Sequence, residues 1–146
     1  MGKLDKAILE KRRVGRDEAK YFSAQDANRS LVLVAKIVKD ILALYCRAKA
    51  LEEQYSVLDR ETERVERKQV KKQYEAVLRQ LQAYSEELSE IGCQLRDWQT
   101  GVVNWPALYQ GHEVYLCWRM GEPQVRHYQE AYDSFAARKH LPDDFN

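Results

Sequence analysis

Hydrophobic side chains recur at alternating spacings of four and three residues between residues 70 and 91. They are Val70, Tyr74, Val77, Leu81, Tyr84, Leu88 and Ile91, and charged or amide side chains occupy most of the positions between them. This spacing is typical of a helix that packs lengthwise against another helix. Gly92 follows directly, and glycine readily adopts the positive φ of a helix C-cap. We therefore predict a helix over residues 61–91.

A second helix is predicted upstream, over residues 23–57. Ser23 with Asp26 three residues later is typical of a helix start, where a hydroxyl accepts from an unpaired backbone N–H. The apolar face that follows is broader than a coiled-coil seam and includes Leu31, Leu33, Val34, Ile37, Val38, Ile41, Leu44 and Tyr45. A face of this width needs more than one neighbour. We expect an antiparallel, coiled-coil-like hairpin that dimerises into a four-helix bundle.

The hydrophobic period changes to alternation after Gly92. Residues 94–98 and 102–105 are candidate strands, and Pro106 is expected to end the second. Residues 113–120 alternate cleanly between apolar and mostly polar positions, as expected for a strand with one buried face. These segments predict a two- or three-stranded antiparallel sheet within residues 94–120.

The remaining tail, residues 121–146, is expected to form a turn or short helix over the sheet. The predicted fold is therefore mainly α with a small β part (α+β), in which the sheet and tail cap one end of the helical hairpin. We expect residues 21–146 to form a single domain. Residues 1–20 are basic and weakly patterned, and are expected to be a mobile leader.

Composition narrows the class of function. An apolar fraction of 45% is typical of a folded protein, and the formal net charge of +1 makes nucleic acid an unlikely partner, although the basic leader could contact it. No window approaches the roughly 18 apolar residues of a membrane span. The three cysteines are far apart and form no C-x-x-C pair, which favours reduced thiols in a cytoplasmic protein.

Polar and aromatic residues of the C-terminal part form the first candidate site. They are Asp97, Trp118, Arg119, Glu122, Tyr128, Glu130 and Arg138. Two arginines near carboxylates and aromatic rings could bind a small anion or a planar ligand through forked hydrogen bonds. The more common alternative is that these charges pair with one another and hold the tail on the sheet.

Two other chemistries use the histidines. A metal site would take His127, Glu130 and Asp133 from one face of a helix, with His112 joining from a loop. Cys117 could act as a nucleophile if His112 or His127 served as its base and Arg119 favoured the thiolate. A cysteine in a strand is more often a small, buried and inert side chain. No phosphate-binding glycine loop or Ser-His-Asp motif is present, so we assign no catalytic residue and no cofactor.

Several short strings resemble a known family. They are Tyr21-Phe22-Ser23 with Ala27-Asn28, Arg96-Asp97, Gly101-Val102-Val103-Asn104-Trp105-Pro106-Ala107, Leu116-Cys117-Trp118-Arg119 with Gly121-Glu122, and Phe135-Ala136 with Arg138. Together they resemble a bacterial domain-of-unknown-function family, number 2203, from Tyr21 to about Leu141. The resemblance implies a small cytoplasmic protein of a helical hairpin and short strands, with no established activity.

The sequence departs from the pattern of that family at several positions. Asn104 stands where members commonly carry Asp, and Tyr128-Gln129-Glu130 stands where they commonly carry Trp-His-Glu. Tyr132 and Ser134 replace a common Asp and Gly. A family site that used that His and those Asp residues would be damaged here, so a shared catalytic role is not expected to carry over.

These observations favour a non-enzymatic cytoplasmic protein that self-associates through its long helices as a homodimer. It would act as an interaction or adaptor module for a protein partner, with the strand region as the contact surface. The alternative is a small-anion or metal-binding protein, or an enzyme, that uses the polar residues of the C-terminal part.

Overall fold

The computed structural model describes residues 20–131 and 133–145. Two helices, α1 (Ala24–Val57) and α2 (Arg64–Ile91), precede five strands. The strands are β1 (Gln94–Asp97), β2 (Val102–Tyr109), β3 (His112–Arg119), β4 (His127–Glu130) and β5 (Lys139–His140), with a 3₁₀ helix (Phe135–Ala137) between the last two. The predicted α+β class, with a helical hairpin and an antiparallel sheet, is confirmed. The predicted mobile leader lies outside the described residues except for Lys20.

The sheet contains five antiparallel strands in chain order, where two or three were expected. The tail supplies β4 and β5 in addition to the short helical turn that was predicted for it. These strands are four and two residues long. Such segments are too short for a two-residue hydrophobic period to be recognised, and their pairing with β3 and with each other is what defines them.

Pro106 does not end β2, which continues to Tyr109. The carbonyl of Pro106 accepts a hydrogen bond of 2.8 Å from the backbone N–H of Phe22, on the side away from β3. In an extended strand the N–H and C=O of one residue point the same way. The missing N–H of proline therefore costs no hydrogen bond in the ladder between β2 and β3.

The two predicted helix ends are confirmed in detail. Ser23 Oγ accepts from the backbone N–H of Asp26 at 3.0 Å, which satisfies one of the free donors at the start of α1. Gly92 closes α2 with a φ of 118°, and its N–H donates to the carbonyl of Leu88. Both signals depend on local chemistry, so sequence was sufficient to find them.

The bend between the helices is longer than predicted, so α2 begins at residue 64 instead of 61. Asp59 Oδ1 accepts from the backbone N–H groups of Glu61 and Thr62, at 2.9 and 3.0 Å, and holds these residues in a turn. The guanidinium of Arg67 then donates to the carbonyl of Leu58 at 2.8 Å. A side chain of α2 thereby satisfies a carbonyl just past the end of α1.

The broad apolar face of α1 is divided between α2 and the sheet. On the sheet side, Trp105 Nε1 donates to Ser30 Oγ at 3.0 Å, and the rings of Tyr45 and Trp98 lie 6.1 Å apart. On the other side, Leu81 of α2 is fully buried in the same core. The chain's own sheet thus covers a part of α1 that a second copy was expected to cover. In the described part of the chain, neither helix is long and apolar enough to span a membrane.

Alternation along the strands gives the sheet two different faces. The face toward α1 carries buried apolar residues: Leu95, Val103, Trp105, Ala107, Val114, Leu116, Trp118 and Tyr128. The opposite face, which we call the outer face, is mixed in polarity and includes Asn104 of β2, Cys117 of β3, and His127 and Gln129 of β4. Two of its polar side chains, Asn104 and Gln129, are nevertheless buried, which is unusual for the face of a small sheet that lies away from the core.

Candidate functional site

Strand register brings Asn104, Cys117 and His127 into one row across the outer face. Asn104 pairs with Cys117, Cys117 with His127, and His127 with His140. Gln129 lies two residues beyond His127 on β4 and therefore shares its face. We call Asn104, Cys117, His127 and Gln129 the outer-face cluster. Asn104 is 3% exposed, Cys117 0% and Gln129 6%, so three of the four side chains are buried.

Residues 133–138 pack over this cluster. Gln129 Nε2 donates to the carbonyl of Asp133 at 3.1 Å. Arg138 forms a two-point ion pair with Glu122, with nitrogen–oxygen distances of 2.8 and 2.5 Å, and its guanidinium also lies 4.0 Å from the ring centre of Phe135. These contacts hold residues 133–138 against the outer face.

Unpaired polar atoms concentrate in the outer-face cluster. Among the residues that the structure describes, the buried side-chain nitrogen and oxygen atoms without a hydrogen-bond partner are Asn104 Oδ1, His127 Nδ1 and Gln129 Oε1. Buried polar atoms in folded proteins are nearly always paired with protein, water or ligand. All three belong to the same small patch of one face, so they point to a common partner.

The protonation states leave the cluster without a net charge. Burial raises the pKa of the Cys117 thiol, although nearby Arg138 opposes the shift in part. Burial, and then the charge of Arg138, lowers the pKa of His127, so its imidazole is neutral near pH 7. Hydrogen bonding from Arg138 lowers the pKa of Glu122. The ion pair is therefore fully charged but neutral as a unit, and the cluster beneath it is uncharged.

The predicted ligand-binding residues are divided between the two faces. Trp118, Tyr128 and Glu130 pair with Val103, Leu116 and Val114, and so lie on the face toward α1. Arg119, Glu122 and Arg138 lie at the outer face or beside it, and Asp97 caps the turn after β1 through the N–H groups of Gln99 and Thr100. Arg138 and Glu122 pair with each other, as in the alternative in which the charges of the C-terminal part hold the tail on the sheet.

The predicted metal ligands lack the helical spacing on which they were chosen. His127 and Glu130 lie in strand β4, where residues three apart point to opposite faces. His112 contacts Glu130 instead, with a nitrogen–oxygen distance of 3.5 Å. In residues 20–131 and 133–145, no group of three or more His, Cys, Asp or Glu side chains could hold a metal ion.

The proposed Cys117 nucleophile has one of the neighbours it needed. His127 is its direct cross-strand partner, whereas His112 lies at the far end of β3. The arginines whose charge favours the thiolate are Arg138 and Arg96, where Arg119 was expected. Because burial raises the pKa, the group is a protonated thiol near pH 7 and not an activated thiolate.

Sequence reasoning did not select Asn104 or Gln129 as site residues. Both were noted as departures from the pattern of the resembled family, and both lie in the outer-face cluster. Their departure from the family pattern was the only feature of the sequence that could have drawn attention to them. Without the register of β2, β3 and β4, nothing in the sequence shows that these two positions and Cys117 share one patch.

Comparison with known proteins agrees with the resemblance of the short strings. A family model described as "Uncharacterized conserved protein (DUF2203)" matches residues 20–141, which contain both helices and the whole outer-face cluster. No curated protein matches the chain. No solved structure matches it either. The chain therefore belongs to the DUF2203 family of uncharacterized conserved proteins.

Proposed function

We propose that the protein binds a small molecule at the outer-face cluster, beneath residues 133–138. The observation that carries this proposal is the set of three buried, unpaired polar atoms on Asn104, His127 and Gln129. Two of these side chains are more than nine-tenths buried. A folded chain gains nothing in stability by keeping such groups, so their presence supports a role in recognition.

The three unpaired polar atoms lower the stability of the fold. A buried polar atom without a partner costs about 1–3 kcal/mol. Adjacent strands lie about 4.8 Å apart, so Asn104 and His127 flank Cys117 across roughly 10 Å, and Gln129 lies about 7 Å further along β4. One small molecule of ordinary metabolite size could therefore reach all three unpaired atoms and recover this cost when it binds.

The same substitution at two asparagines is expected to change stability in opposite directions. Asn104→Leu removes a side chain that forms no hydrogen bond with the described residues, so it should raise the free energy of unfolding by about 1 kcal/mol. Asn28→Leu removes three bonds, to Ala24 and to both backbone groups of Val125, and should lower it by about 2 kcal/mol. Denaturant titration of the two variants measures both values. A loss at Asn104 equal to that at Asn28 would mean a purely structural amide and would remove the basis of the proposal.

A thermal-shift screen tests binding directly. Neutral amides, nucleosides, sugars, carboxylates, inorganic phosphate and zinc would be compared on the wild-type protein and on Asn104→Leu. A ligand that binds only the folded state raises the melting temperature by mass action. We expect at least one compound to stabilise the wild type and to have no effect on the variant. A screen in which every compound leaves both proteins unchanged would argue against this function.

Self-association through the helices is a second candidate function, supported by a cleft in the hairpin. The cleft has a volume of about 410 Å³ and lies between α1 and α2, lined by Leu51, Glu52, Tyr55, Lys71, Tyr74 and Glu75. Its exposed lining is mostly apolar, and a second copy of the chain would bury it in a four-helix bundle. An adaptor role in the cytoplasm would rest on this assembly.

The oligomeric state decides this second candidate. Light scattering at about 50 μM should give the mass of a dimer for the wild type, because a second copy would remove the apolar lining of the cleft from water. Tyr74→Glu places a charge in the cleft and should yield a monomer, whereas Glu90→Gln on the exposed surface of the same helix should not. A wild type with the mass of a monomer would contradict the proposal.

A further inference from the structure

We infer that the ligand of the outer-face cluster is a neutral molecule with an adjacent N–H donor and acceptor, as in a carboxamide, a urea or a lactam. This inference rests on the proposed function and narrows it to one chemical class. Its basis is the orientation of Gln129, the internal pairing of Arg138 with Glu122, and the amide of Asn104.

Gln129 presents an acceptor whose identity is fixed. Its Nε2 donates to the carbonyl of Asp133 at 3.1 Å, and a flipped amide would place two oxygens against each other. The unpaired atom is therefore Oε1, which only accepts. A ligand that satisfies it has to supply an N–H or O–H group.

An anionic ligand does not match this lining. Both terminal nitrogens of Arg138 are already bonded to the carboxylate of Glu122, so this arginine offers no open fork to an anion. A carboxylate or phosphate would have to displace Glu122 and would face the acceptor oxygen of Gln129. Because displacing a two-point ion pair leaves a carboxylate unpaired in a largely buried setting, anion binding is disfavoured.

A cationic ligand is also disfavoured. The charges that act on Cys117 and His127 include Arg96, Arg126 and Arg138, against the one carboxylate of Glu122. An ammonium or guanidinium group would meet like charges without a carboxylate of its own. A neutral donor avoids the cost of desolvating a charge and still satisfies the unpaired atoms.

Asn104 selects the amide class among neutral donors. Its Oδ1 is buried and unpaired among the described residues, so it can accept from a ligand N–H, and Nδ2 of the same amide lies beside it as a donor. A planar group with neighbouring N–H and C=O forms two parallel hydrogen bonds with such an amide, as asparagine does with a nucleobase edge. An alcohol or a sugar hydroxyl cannot reproduce this two-point contact.

Matched pairs of probes test the assignment. Nicotinamide and nicotinate share a ring and differ by a carboxamide or a carboxylate, as benzamide and benzoate do. Melting temperatures would be measured with each probe at 10 mM on the intact chain. We expect nicotinamide or benzamide to raise the melting temperature by about 2 °C or more, with no rise from the matching carboxylate. Binding to Asn104→Leu and Gln129→Met should be weaker by roughly tenfold, as expected for the loss of one or two hydrogen bonds.

Arg119→Ala separates this inference from an anion site. The variant should keep the amide response, because Arg119 is exposed and lies outside the cluster. A carboxylate response that disappears in Arg119→Ala would overturn the amide assignment while leaving small-molecule binding intact. No response to either amide would also overturn the inference, and the proposed function would then be decided by the comparison of Asn104→Leu with Asn28→Leu.

Discussion

Replacing Arg138 with Ala is expected to lower the free energy of unfolding by about 3 kcal/mol at pH 7. The side chains of Arg138 and Glu122 are only 15% and 21% exposed, so removal of the guanidinium leaves a largely buried carboxylate without its charged partner. The same change uncovers Cys117 and removes a contact with Phe135. Denaturant titration measures the loss. Arg119→Ala is the control, because Arg119 is exposed and its contact with Phe135 is worth about 0.5–1 kcal/mol.

The effect of Arg138→Ala should shrink in acid. Hydrogen bonding from Arg138 holds the pKa of Glu122 below its ordinary value of 4.5. A carboxyl group with a lowered folded-state pKa stabilises the fold above its unfolded-state pKa, and this contribution is lost as pH falls through the lower value. The difference between wild type and Arg138→Ala should therefore be largest near pH 7 and decrease as pH falls, first because Arg138 disfavours protonation of His127 and then, below about pH 4.5, because Glu122 becomes protonated. A loss no larger than that of Arg119→Ala, or independent of pH, would mean that the pair does not hold the segment.

The helical hairpin was predictable because its signal extends over many residues. The seven apolar positions from Val70 to Ile91 repeat a helical period, and Ser23 and Gly92 mark ends through chemistry confined to one turn. The strand alternation of residues 113–120 was equally clear and corresponds to β3. In each case the information lies within one continuous segment, which is what sequence patterns report.

The site depends on information that no single segment contains. Cys117 and His127 were each considered for a separate chemistry, and register makes them direct neighbours. The helical reading of residues 127–133 placed His127 and Glu130 together, and the strand separates them. Strand pairing decides which residues meet, and a shift of one residue would exchange the two faces. Asn104 and Gln129 therefore became site residues only when β2, β3 and β4 were aligned.

Substituting Gly101 with Ala is expected to lower the free energy of unfolding by about 3 kcal/mol, through two separable causes. Gly101 has a φ of 78°, a conformation that costs an L-residue about 1 kcal/mol. An added Cβ would also lie 3.0 Å from Val38 Cγ1 and from Met120 Cβ, and 3.3 Å from Leu42 Cδ1. Crowding of this kind in a packed interior costs about 1–3 kcal/mol. Gly101 therefore sets how closely α1 approaches the end of β3.

Gly111→Ala isolates the first cause from the second. Gly111 has a φ of 82°, but an added Cβ there meets no atom within 4 Å, so Gly111→Ala should lower the free energy of unfolding by only about 1 kcal/mol.

The double variant Gly101→Ala with Val38→Ala tests the second cause, because Val38→Ala removes the methyl group closest to the added Cβ. The loss of stability in the double variant should be smaller than the sum of the two single losses by about 1 kcal/mol. Denaturant titration of the four proteins of this cycle measures the coupling. Equal losses at Gly101 and Gly111, with no coupling to Val38, would show that α1 is not packed tightly against this turn.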